Sequence, residues 1–86
     1  MKFEIADIVV STAGRDIGCS YFVWGYENGK VLLVNGRSKK ITNPKRKSEK
    51  HIVFKQKSYA VLDKIKNDEK INDAFLRKVL CTQEIF

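Results

Sequence analysis

Histidine, proline and cysteine are nearly missing from this chain: one His at position 51, one Pro at 44, and two Cys at 19 and 81. A structural metal site takes about four ligands, usually Cys or His, so the supply is too thin for one. Two distant cysteines also do not make a disulfide scaffold, and they are expected to be free, partly packed thiols. Long hydrophobic runs are lacking too. The longest, Val31 to Val34, is far short of the ~20 residues that span a bilayer. Met1-Lys2-Phe3 leads directly into Glu4 and Asp7, which does not read as a secretory signal, so a cytoplasmic protein without membrane contact is expected. Catalytic constellations are absent as well: there is no P-loop and no Ser-His-Asp set. The carboxylates Asp63, Asp68, Glu69 and Asp73 read as helix solvation and capping. The expectation is a protein that is not an enzyme and uses no cofactor.

What the chain has is positive charge in one place. The 86 residues carry a net charge of +7. Between positions 37 and 57 there are nine basic residues and a single acid, Glu49, a net +8, while the remainder sums to −1. Charge focused in this way is the electrostatic footprint of a polyanionic partner. The 43% hydrophobic and 31% charged content is that of a folded domain, and the length allows one.

β-Branched and aromatic residues predict strands at Glu4–Val10 and Ser20–Tyr26, separated by a loop with Gly14 and Gly18. Asn28-Gly29 is a strong hairpin pair and leads into a third strand, Lys30–Val34. Asn35-Gly36 offers a second turn, then a short fourth strand over Ser38–Thr42. A basic loop follows, and His51–Phe54 makes the fifth strand. The alternation of Phe22, Trp24 and Tyr26 places all three on one face, which is expected to be core. Tyr59, Leu62 and Ile65 recur every third residue, the pattern of a helix face, with Ser58 as N-cap. After a polar break at Asn67–Lys70, Asn72 caps a second helix. Its apolar face is Phe75, Leu76, Val79 and Leu80, with Arg77 and Lys78 in its last turn. The pattern is α+β, mainly β: a small five-stranded barrel followed by two C-terminal helices.

The segment Ile8-Val9-Val10-Ser11-Thr12-Ala13-Gly14-Arg15-Asp16-Ile17-Gly18, followed by Phe22-Val23, resembles the KOW motif of ribosomal proteins and transcription elongation factors. Val31-Leu32-Leu33-Val34-Asn35-Gly36-Arg37, Asn43-Pro44-Lys45-Arg46-Lys47 and Lys50-His51-Ile52 resemble the small bacterial KOW-domain RNA-binding proteins. Those in turn are similar to large-subunit ribosomal proteins. The resemblance implies an SH3-like barrel over residues 1–56, with a helical tail over 57–86 packed on or beside it as one compact unit. It also implies RNA, above all ribosomal RNA, as the partner, with ribosomal proteins as further neighbours and a monomer when free. Ile17 stands where the motif often has lysine, and Cys19 where a second basic residue is common.

On this reading Arg15, Arg37, Lys39, Lys40, Lys45, Arg46, Lys47, Lys50 and His51 face RNA. Arg15 sits on the glycine loop, where backbone N–H groups can also approach phosphate. Asp16 braces the turn. Tyr21 is a candidate for stacking on a base. Because the glycine loop has lost two cations, Ile41–Lys55 is expected to carry more of the binding than the loop. Two alternatives stay open: a protein-interaction module of the translation or transcription machinery, and a DNA-binding, transcription-associated factor.

Overall fold

The computed structural model describes residues 2–85, with side chains through residue 82. Five strands form one antiparallel sheet: β1 (Asp7–Ser11), β2 (Ser20–Glu27), β3 (Lys30–Val34), β4 (Lys45–Lys47) and β5 (Ile52–Lys57). Their order is β4-β3-β2-β1-β5. A short 3₁₀ turn, Glu49–His51, joins β4 to β5. Two helices follow, α1 (Tyr59–Lys66) and α2 (Asp73–Ile85). The sheet is open, since no ladder joins the outer strands β4 and β5 among the described residues.

The β2–β3 hairpin forms where Asn28-Gly29 predicts it. Both residues have positive φ, 51° and 77°, and Glu27 pairs with Lys30 across the turn. Strand β1 starts at Asp7 rather than Glu4, because residues 4–7 close a turn. The Asp7 N–H donates to the Glu4 carbonyl, and the Glu4 N–H to the Asp7 carboxylate. The fourth strand is not Ser38–Thr42, where only the single bridge Lys40–Asn43 forms. Lys45–Lys47 is itself β4, pairing Lys47 with Val31, Arg46 with Leu32 and Lys45 with Leu33.

Both faces of the sheet are buried. One carries Phe3, Val9, Tyr21, Val23, Val31, Leu33 and Ile52, with Tyr26 packed against them. The other carries Ala6, Ile8, Phe22 and Val34, and these share a cluster with Val61, Leu76, Val79 and Leu80 of the helices. The expectation that Phe22, Trp24 and Tyr26 share a face fails at Tyr26. The β2–β3 register slips between Val23 and Gly25, so Trp24 is a bulge and the alternation restarts one residue later. Phe22 and Trp24 join the helix-covered cluster and Tyr26 the other.

Ser58 caps α1 by accepting from the Val61 N–H. The helix buries Val61, however, not the predicted stripe: Leu62 is half-buried, while Tyr59 and Ile65 are exposed. α1 ends in a Schellman motif, with Asp68 at φ 55° and bonds from the Asp68 and Glu69 N–H groups to the Ile65 and Lys64 carbonyls. Asn72 caps α2 through the Phe75 N–H. α2 continues to Ile85, so Arg77 and Lys78 lie in its middle rather than its last turn. No helix among the described residues is long and apolar enough to cross a membrane.

Candidate nucleic-acid interface

The glycine loop and the basic segment meet at β4. Lys45 and Lys47 stand opposite Leu33 and Val31, so they lie on the sheet face of that cluster, next to the loop after β1. Lys47 is only 9% exposed. Its ammonium donates to the Ala13 carbonyl at 2.7 Å and to Asp16 Oδ1 at 2.5 Å. Asp16 also accepts from Ser11 Oγ at 2.9 Å and Tyr21 Oη at 2.7 Å, and Lys45 Nζ lies 3.5 Å away. Asp16 therefore ties the loop to β1, β2 and β4 at once. Burial opposes ionisation of its carboxyl, but the Lys47 bond, the two hydroxyl donors and the Lys45 charge outweigh it and hold the group far below the usual carboxylate range. Tyr21 is pushed well above the usual phenol range by burial and by its bond to the Asp16 carboxylate.

Two sequence expectations change here. Tyr21 is 3% exposed and spends its hydroxyl on Asp16, so it offers no face to a base. Lys47 is a buried structural cation and not a surface phosphate contact. A third change concerns the cysteines, since Cys19 and Cys81 are free as expected but exposed rather than partly packed.

Above this network lies an open groove of about 350 Å³, lined by Ala13, Gly14, Lys30, Lys45, Arg46, Lys47, Ser48 and His51. Lys30, Lys45, Arg46 and the His51 imidazole border it, and Lys47 closes its floor with its ammonium committed to Asp16 and the Ala13 carbonyl. Arg46 pairs with Glu27 at 2.5 Å, but both side chains are about half exposed, and such pairs contribute little in water. Lys30 donates to Ser48 Oγ at 2.7 Å. The His51 carbonyl accepts from the Thr12 N–H at 2.8 Å, which fastens the glycine loop to the end of the 3₁₀ turn. Glu49, the lone acid of the basic segment, is turned to other work. It accepts from Tyr26 Oη at 2.5 Å and from the Lys2 N–H at 2.8 Å. These donors lower its pKa, while burial and the bond to Glu49 raise that of Tyr26.

Arg15, Arg37, Lys40 and Lys50 are exposed and Lys39 is half-buried; none of the five lines the groove. Arg37 instead borders a separate cavity of about 210 Å³ with Cys19, Asn35 and Cys81. Lys30 and Ser48 also belong to the groove, though their sequence positions give no sign of it. Lys30 lies outside the charge run, and only the β2–β3 turn together with the β3–β4 ladder brings it to Ser48. No group of three or more His, Cys, Asp or Glu side chains gathers among the described residues, so no set there could hold a metal. No protein-family model and no curated protein matches the chain.

Proposed function

We propose that this protein binds structured RNA, with ribosomal RNA the first candidate, and that the groove between the glycine loop and β4 receives the phosphate backbone. The observation that carries the reading is the groove's lining: the accessible Lys30, Lys45, Arg46 and His51 beside the Ala13-Gly14 backbone. Cations held on strands lose little freedom on binding, and each phosphate neutralised releases condensed counterions. Arg15, Arg37, Lys39, Lys40 and Lys50 extend the positive surface around the groove. Phosphate contacts position a protein without reading sequence, so selectivity comes from RNA shape and unpaired bases. The strand order β4-β3-β2-β1-β5 is compatible with an SH3-like arrangement, and the KOW reading rests on the motif resemblance of the sequence. The protein acts as a non-enzymatic, monomeric, cytoplasmic RNA-binding module.

Filter binding to a folded ribosomal RNA fragment across a salt series tests this. Replacing Lys30, Lys45 and Arg46 with Gln is expected to flatten the slope of log affinity against log salt by about two units (~0.7–0.9 per contact). Replacing Lys66 and Lys70, in the α1–α2 region, leaves it unchanged. Equal slopes for the groove variant and the wild type would overturn the assignment.

A further inference from the structure

Two aromatic side chains stand in solvent at the corner between β5 and α1. Phe54 is 55% exposed and Tyr59 69%. They border the same open groove, of about 630 Å³, together with Lys55, Gln56, Lys57 and Ala60. The corner between them is fixed. Ser58 is 1% exposed, its N–H donates to the Ala6 carbonyl at 2.8 Å, and its hydroxyl caps α1. Lys57 is also held, by Asp7 at 2.7 Å. Lys55 is exposed and has no ion pair among the described residues. The groove thus combines two exposed aromatic rings on a fixed backbone corner, an available ammonium and a side-chain amide, with no carboxylate in its lining.

We propose that this corner is a stacking site for unpaired nucleotides of the bound RNA: Phe54 and Tyr59 take the bases, and Lys55 takes a phosphate. The proposal rests on the RNA-binding reading and adds to it where single-stranded segments bind. Every base has a π-face, so aromatic stacking beside a cation suits single strands of any sequence. The rival occupant of an edge strand, an extended peptide adding to the sheet, is disfavoured here. The β1–β5 register skips Lys55, since Val9 pairs with Phe54 and Ile8 with Gln56, and a bulged edge is a poor template for strand addition.

Fluorescence anisotropy with labelled hexauridine and with an RNA duplex tests the site. Phe54→Ala and Tyr59→Ala are each expected to weaken hexauridine binding about tenfold while leaving duplex affinity and the salt slope unchanged. Tyr59→Phe retains binding, because the ring is kept. Both alanine variants fold, as the removed rings are exposed, and an unchanged Tm verifies this. Unchanged hexauridine affinity in both alanine variants, or failure of the wild type to bind hexauridine, overturns the stacking site. Loss of an extended peptide's binding in Phe54→Ala, with hexauridine binding intact, assigns the corner to protein and also overturns it. If the wild type binds duplex with the salt slope expected of the basic groove, the RNA reading survives that failure. If it binds neither RNA, both fall.

Discussion

Asp16 shows how one residue decides what its neighbours can do. Its carboxylate collects Lys47, Ser11 and Tyr21, which takes one predicted cation and the predicted stacker out of the surface. Asp16 braces the turn, as its place in the sequence suggests, but its partners are not legible there, because Lys47 lies 31 positions away and meets it only through the β3–β4 ladder. Breaking a largely buried pair from one side leaves a charge without compensation. Asp16→Ala is expected to cost about 3–5 kcal/mol, and the double variant Asp16→Ala with Lys47→Met less than the losses of Asp16→Ala and Lys47→Met added. Urea unfolding measures both; strict additivity would dissolve the proposed coupling. The folded Asp16 carboxyl is held below its unfolded value, so its contribution is complete above the unfolded pKa of about 4 and is lost as pH falls toward the folded one. Wild-type stability should therefore decline below about pH 4, with a shallower acid limb in Asp16→Asn.

Elements were legible where a local rule governs and illegible where pairing governs. Asn28-Gly29, Ser58 and Asn72 each act through their own backbone neighbours, and the turn and both caps stand where the sequence places them. Lys45–Lys47 reads as a solvated loop from charge alone, yet it is a strand, since Val31–Leu33 supplies its ladder and Asp16 receives Lys47. The Trp24 bulge and the reversed burial of Tyr59 and Val61 are likewise set by distant partners. Gly36 lies between these cases. Its φ of 74° asks for glycine, but so does α2: a Cβ there would collide with the Asp73 carbonyl, and Arg77 Nη1 donates to the Gly36 carbonyl at 2.6 Å. Gly29 has nearly the same φ, 77°, and open space around it. Gly29→Ala is expected to cost about 1 kcal/mol from backbone strain alone. Gly36→Ala adds the collision and costs about 3 kcal/mol. Chemical denaturation of the pair separates the effects, and equal losses would show that contact with α2 does not constrain Gly36.

At the scale of the molecule, the strand region and the helical tail behave as one unit, whatever their order along the chain. The Cα radius of gyration, 11.9 Å, is that of one body of 86 residues, about 12 Å. Ile8, Phe22 and Val34 are fully buried on the sheet face that Val61, Leu76, Val79 and Leu80 cover. Removing the helices would uncover these three side chains, each of which gains about 1.5–3 kcal/mol from burial, in a domain whose whole stability is on the order of 5–15 kcal/mol. The basic groove lies at the β4 edge of the sheet, where Lys45 and Lys47 stand opposite Leu33 and Val31 of the other cluster. Its geometry nevertheless depends on the helices, because the same strands β1, β2 and β3 carry both faces. A chain ending at Lys57 is therefore expected to lose cooperative thermal unfolding and, with it, the salt-dependent RNA affinity proposed for the full chain. Calorimetry and filter binding on the shortened protein measure the two together. A sharp unfolding transition with RNA binding retained would show instead that the strands form an independent domain and that the helices serve another purpose.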